Sequence, residues 1–390
     1  MEKINRYYSG VQNGRTTICC SALALALASA ATIAAQTPQT PAPPPPLRAV
    51  WTVPLKASIG APPAFSGGRG FFPLDDGRLE ARDLATGAVL WSVDAHVVSQ
   101  PAVGDALLFL VERDAIGARR QDDGSLVWRL QFSEPPATPL VWDNGWLVAA
   151  ASSGSIRAFR AVDGHLIWSR DIGSALSARP ALAADRVYVP AKNSRLVALQ
   201  VETGALVWER RLGGAPNEIL ALDDRVYVGS DDNFFYCLKA GDGGVDWRWR
   251  TGADVIGLPV VDDRAVYFIS KDNVLRGLNR RSGNQIWKRA LPLRPSGGPV
   301  KMADSVIVSG VAPTLRAFMA KDGTPAGDVS TEGELASIPY AFEASAAPVL
   351  AIVTRTLAGG AALTAITRAG EPTPTPAAPI PAAPRAGDIR

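Results

Sequence analysis

Histidine and cysteine are scarce in this chain of 390 residues, which holds two of the first, His96 and His165, and three of the second, Cys19, Cys20 and Cys237. No pair among them stands at the ligand spacing of a zinc site beyond the adjacent Cys19-Cys20 near the start, so no metal is expected. Charge of one sign is lacking too. The formal net charge is +3, of which the first 30 residues, with Lys3, Arg6 and Arg15 against Glu2, supply +2. A nearly neutral remainder offers no basic footprint for nucleic acid and no bulk attraction to a membrane surface. No apolar run reaches the ~20 residues of a spanning helix. Beyond the N-terminal segment no stretch keeps a 3.6-residue apolar period, so helices are not expected. What is abundant is 36 Gly and 31 Pro with 47% apolar residues, a balance that suits many short strands joined by tight turns.

The ends differ from the middle. Lys3, Arg6 and Arg15 precede a short apolar stretch, Ile18 to Leu27, and Ala28-Ser29-Ala30 has the small-x-small form of a cleavage site. Residues 1–30 therefore read as a signal peptide, and the protein as exported, periplasmic or cell-envelope associated. The alternative is an uncleaved N-terminal anchor, since small and apolar residues continue to Ala35. A lipid-modified leader needs a Cys after its apolar region, whereas Cys19 and Cys20 stand near the beginning of this one. Cleavage leaves Cys237 alone, with no internal disulfide even in an oxidising compartment. Residues 31–47 form a Pro-rich linker (TPQTPAPPPP from Thr37) and 371–390 a Pro/Ala-rich tail expected to be disordered, which leaves 48–370 to fold.

That middle is a repeat. A Gly followed four residues later by Trp recurs as Gly87/Trp91, Gly124/Trp128, Gly164/Trp168, Gly204/Trp208, Gly243/Trp247 and Gly283/Trp287; Gly323 continues the phase with Gly327 in the Trp position, and Trp51 precedes Trp91 by 40 residues. Eight residues before each Gly stand Leu79, Ile116, Ile156, Leu196, Phe235, Leu275 and Leu315, and six before stand Ala81, Ala118, Ala158, Ala198, Cys237, Gly277 and Ala317. One before stand Thr86, Asp123, Asp163, Thr203, Asp242, Ser282 and Asp322. Apolar and small residues two apart share one face of a strand, with the small one expected to admit a neighbouring sheet. The polar residue bonds back to local backbone, and Gly takes a positive φ. A second turn signal recurs upstream, as in Asp105-Ala106-Leu107, Asp185-Arg186-Val187 and Asp224-Arg225-Val226. A third falls at Ser153-Gly154, Asn193 and Asp272-Asn273. Each unit is thus four short antiparallel strands of period two.

A four-stranded sheet of ~40 residues can bury both faces only between like sheets, and the array hides its two ends by closing into a ring. The expected fold is all-β: an eight-bladed β-propeller of four-stranded antiparallel blades. Residues 337–368 supply three strands of the last blade, and Ala49 to Leu55, with Trp51, comes from the N-terminus as its fourth. Seven blades is the alternative if 331–370 is irregular. The in-phase Trp51, Trp91, Trp128, Trp168, Trp208, Trp247 and Trp287 are then structural residues that dock blades, and Gly87, Gly124, Gly164, Gly204, Gly243, Gly283 and Gly323 are turn glycines.

Ala81-Arg82-Asp83-Leu84-Ala85-Thr86-Gly87-Ala88-Val89-Leu90-Trp91 resembles the A-x-D-x-x-T-G-x-x-x-W tryptophan-docking repeat of quinoprotein (PQQ-type) propellers, and Ala198 to Trp208 is nearly as close. Other copies replace the Asp, by Arg120 or Gln200 for example. One branch of that family is quinone-dependent dehydrogenases. The other is BamB-like scaffolds of outer-membrane-protein assembly, to which this chain is the more similar. The dehydrogenases use an adjacent Cys pair, a carboxylate-bound calcium, a catalytic Asp and a Trp floor; residues 31–390 have no Cys pair and no long insertions. The resemblance therefore implies a non-catalytic protein-binding scaffold without cofactor, acting with envelope assembly machinery and expected to be monomeric. A small-ligand-binding or sensing propeller is the alternative, and a dehydrogenase a more distant one.

The residual chemistry has plain readings. Asp231-Asp232-Asn233 occupies a strand turn and lacks the calcium-loop Gly and distal Glu. His165 follows a turn Gly, and His96 stands at a blade junction. Cys237 holds the small-residue column and is expected to be buried. Gly67-Gly68-Arg69-Gly70 lacks the Lys-Ser/Thr of a phosphate loop. Trp142, Trp146 and Trp249, out of phase with the others, are candidates for exposed contact residues. No catalytic, cofactor-binding or metal-binding residue is assigned.

Overall fold

The structure, a computed structural model, describes residues 46–371 except 105, 133, 345–346 and 356–358. The signal peptide, most of the linker, the tail beyond Glu371 and the turn residue Asp105 lie outside the described residues. Among the described residues every regular element is a strand, and the strands form eight antiparallel sheets. Blade 1 consists of Ala64–Ser66, Arg69–Pro73, Arg78–Asp83 and Val89–Asp94, paired in sequence order. Blades 2 to 7 repeat the plan at 102–131, 141–171, 181–211, 216–250, 255–290 and 300–330. The first strands of successive blades adjoin one another around a central channel. The fourth strands lie at the outer edge, each leaving one side unpaired by its own sheet.

Blade 8 closes the circle with both ends of the chain. Tyr340–Ala344, Ala347–Arg355 and Ala361–Arg368 pair in order, and Leu47–Pro54 adds as the outer strand, antiparallel, from Leu47 opposite Arg368 to Pro54 opposite Ala362. Eight blades, and not seven, are thereby established. At the channel the closure is repeated by Phe65 of blade 1 stacked on Tyr340 of blade 8, with ring centroids 4.8 Å apart. One feature was not foreseen: Glu334–Leu335 pairs with the far end of the nine-residue Ala347–Arg355, giving this sheet a fifth strand.

The turn chemistry is local and uniform. The polar residue before each turn Gly accepts from the amide two residues on, as Asp123 Oδ1 does from Ser125 N at 2.8 Å and Thr203 Oγ1 from Ala205 N at 3.2 Å. The seven glycines that follow have φ between 67° and 75°. At the turn between second and third strands of blade 4, Ser194 rather than Asn193 takes the left-handed conformation, at φ 66°.

Candidate functional site

The tryptophans join blades rather than filling one core. Each indole Nε1 donates to a backbone carbonyl of the following blade: Trp51 to Ala85 (3.1 Å), Trp91 to Gln121 (2.9 Å), Trp128 to Ala161 (2.9 Å), Trp168 to Val201 (2.6 Å), Trp208 to Ala240 (2.9 Å), Trp247 to Arg280 (3.2 Å) and Trp287 to Ala320 (2.9 Å). The same indole lies against that blade's turn glycine. A Cβ on Gly243 would come within 2.6 Å of the Trp208 ring, and one on Gly164 within 2.9 Å of Trp128. The glycines are thus held by two constraints, positive φ and a flat ring overhead. Trp51, Trp208, Trp247 and Trp287 are buried, while Trp91, Trp128 and Trp168 keep an exposed edge.

The small-residue column packs against the next blade, as Ala158 does with Val187 and Val189, and has a second cause that its spacing did not suggest. Ala81, Ala118, Ala158, Ala198, Cys237 and Gly277 each pair directly across from their own blade's Trp, just before a bulge. Directly opposed residues share a face, so smallness makes room for the indole of the same sheet. At Gly277 an added Cβ would meet Trp287 at 2.8 Å.

Other residues of the dock carry no obvious mark in sequence. The carbonyl that receives an indole also receives a second donor from the same preceding blade: Arg69 at Gln121, Arg186 at Ala240, Arg225 at Arg280 and Tyr267 at Ala320. Two residues after Trp, Arg170, Arg210 and Arg289 donate to the carbonyl of the next blade's turn glycine at 2.8, 2.7 and 2.7 Å. Trp249 occupies that column in blade 5. It is half-buried beside the cluster containing Trp247, so its place is in the dock and not on an open surface. Trp142 and Trp146 are half-buried as well, and Trp142 lines the channel.

The residues with possible chemistry are dispersed. Among the described residues no group of three His, Cys, Asp or Glu is placed to hold a metal ion. His165 is exposed at a turn whose amide bonds Asp163, and the His96 ring rests on Gly77. Asp232 accepts from Gly213 N (3.1 Å) and Tyr236 OH (2.5 Å), as Asp272 does from Gly252 N (3.0 Å) and Ser270 (2.6 Å) in the next blade. Burial raises the Asp272 carboxyl, but the hydrogen bonds from Arg276 and Ser270 outweigh it and hold the group at about 2. Both carboxylates are consumed by their turns. Gly67 to Gly70 is the hairpin between the first strands of blade 1, and no helix follows it.

Cys237 is buried opposite Trp247, and desolvation pushes its thiol up to about 12. So buried, the group stays a neutral thiol at neutral pH and is a poor nucleophile. Peptide mapping after exposure to a thiol reagent is expected to find Cys237 unlabelled in the folded protein and labelled once urea is added. Labelling at the unfolded rate without denaturant would contradict the buried position.

Two surfaces remain. The channel holds about 990 Å³ and is lined by Gln100, Trp142, Arg179, Glu218, Lys271 and Tyr340 among others. On the outer strands the two positions before Trp carry aliphatic side chains that stand in water in successive blades: Leu90, Leu126 with Val127, Leu166 with Ile167, Leu206 with Val207, and Val245, each 38–52% exposed.

The family model described as outer membrane protein assembly factor BamB matches residues 48–174, 75–222 and 219–334, so that overlapping copies cover most of the ring. The chain belongs to the BamB family. The BamB of Moranella endobia is 28% identical over 145 residues, a match that covers 32% of this chain and 37% of that protein's length. Among solved structures, BamB from Moraxella catarrhalis superposes with a TM-score of 0.67 at 18% identity, over 82% of this chain and 99% of the other. The quinohemoprotein alcohol dehydrogenase of Comamonas testosteroni reaches the same TM-score, 0.67, at 12% identity over 85% and 78%. Equal likeness to BamB and to a dehydrogenase carries the fold alone.

Proposed function

We propose that this BamB-family propeller is a non-catalytic scaffold of outer-membrane-protein assembly, exported to the periplasm, and that it docks a protein partner on its outer rim. The observation that carries the reading is the aliphatic row on blades 1 to 5. Each of these outer strands presents exposed aliphatic side chains beside an edge that its own sheet leaves unpaired, and such an edge is open to an added strand. The dispersed chemistry described above supports the non-catalytic part.

A photo-crosslinking amino acid placed at Leu166 or Leu206 tests this in an intact envelope. Crosslinks to an assembly component are expected at both positions, and Leu126→Asp/Leu206→Asp is expected to weaken them at Leu166 by at least roughly tenfold, since apolar contacts at an interface centre are the ones that matter. Crosslinks at neither position, with dye reduction by alcohols on adding the quinone and calcium, would favour the dehydrogenase reading. The channel supports a second reading, a small-ligand site, which binding of a ligand without protein crosslinks would favour.

A further inference from the structure

Seven of the eight blade junctions carry an indole dock, and the junction from blade 7 to blade 8 does not. Gly327 stands where Trp would be, at φ +104, and no atom lies within 4 Å of a Cβ built on Gly370 at the facing end of blade 8. The N-terminal segment passes through the vacated space. A Cβ on Gly327 would meet Pro46 Cα at 3.3 Å and Leu47 N at 3.4 Å. Leu47 is 5% exposed and packs with Met302, Ile307 and Ala326 of blade 7 and with Leu350 and Ile366 of blade 8. Ala369 N donates to Pro46 O at 2.9 Å, and Arg368 reaches from blade 8 to Ala326 O at 3.0 Å and to Ser305.

We infer that Pro46 and Leu47 are a latch that replaces the missing indole, and that the ring opens at the seam between blades 7 and 8 by release of Leu47–Pro54 from Ala361–Arg368. Six of the other seams are each stapled by an indole of a blade whose four strands are continuous in sequence. This one is held by a strand whose only covalent link to the ring is at its C-terminal end, and whose N-terminal end continues into the Pro-rich segment. Loss of the strand removes Trp51 from blade 1 as well, so one event loosens both sides of blade 8.

Hydrogen exchange of the full-length chain, resolved to peptides, tests the inference. In the unaltered protein, amides of 47–53 and 362–368 are expected to exchange together, at least about tenfold faster than those of the central strands of blades 3 and 4, as a sub-global opening. Gly327→Ala adds a methyl group against Pro46 at positive φ and is expected to speed exchange in those two strands roughly tenfold further. Gly145→Ala, at φ +83 with no atom within 4 Å, imposes similar backbone strain without touching the latch and is expected to leave the seam unchanged. Equal protection of the seam and of blades 3 and 4, or an equal effect of the two substitutions on the seam, overturns the latch. Should Gly327→Ala not fold, Leu47→Ala replaces it under the same comparison.

Discussion

Trp208→Ala is expected to lower the unfolding free energy by about 3–5 kcal/mol, the range for truncating a buried aromatic side chain. The change removes three contributions at once. The indole is buried, its Nε1–H donates to Ala240 O at 2.9 Å, and its ring lies 5.8 Å from the Tyr188 ring while covering Gly243. Trp208→Phe keeps most of the packing and loses the hydrogen bond, so a cost nearer ~1–2 kcal/mol follows from the bond and the carbonyl left short of a donor. Arg186 still reaches that carbonyl, which keeps the cost at the lower end. The dock makes a further demand on Gly243. Gly243→Ala suffers both its φ of 67° and the ring at 2.6 Å, but in a Trp208→Ala background only the backbone term survives. A double-mutant cycle measured by urea unfolding is expected to show the pair costing at least ~1 kcal/mol less than the sum of the singles. Additive effects, or a loss under ~1 kcal/mol for Trp208→Ala alone, would mean that the indole is not what joins blades 4 and 5.

The parts of this fold that were legible in sequence are those written by local turn chemistry and repeated seven times. Thr86-Gly87 and Asp163-Gly164 announce their turns because the side chain bonds the nearby backbone and the glycine takes a conformation that others resist. Copies in register then give the blade, and leftover strands at both ends give the closure. Contacts between blades were not legible. Nothing local in Arg186 or Arg225 says that its guanidinium crosses to a carbonyl some 55 residues on. Nothing in Ala158 itself says that its smallness also makes room for its own blade's indole. The candidate interaction row was hidden for a related reason: Leu126, Leu166 and Leu206 have the apolarity of core residues, and only the ring geometry places them at an outer edge. Function is less legible still, because an assembly factor and a dehydrogenase superpose on this ring equally well.

Glu80 shows how far a single departure from the repeat can matter. Its column elsewhere holds Gly117, Arg157, Val197, Tyr236, Arg276 and Arg316, so nothing marked it. Glu80 pairs across from Phe72, which packs with Trp51 and Phe342, and so faces the closing blade. It is 0% exposed and Arg82 5%, and the two are joined at 2.5 Å, with Arg82 also donating to Gly87 O at 2.9 Å. Among the described residues Glu80 Oε2 meets no donor. Glu80→Ala leaves a buried guanidinium with one carbonyl for company, and a loss of about 3–5 kcal/mol is expected, as for other buried pairs broken on one side. Glu80→Leu/Arg82→Met removes both charges while keeping apolar volume, and is expected to lie within ~1 kcal/mol of the original or to exceed it. Thermal unfolding of the two variants gives the comparison, and the ordering is the test. If the double variant is as damaged as the single, the pair contributes net stability at the seam between blades 8 and 1. If Glu80→Ala is harmless, the carboxylate is not buried against the closing strand, and the placement of Trp51 beside it fails too.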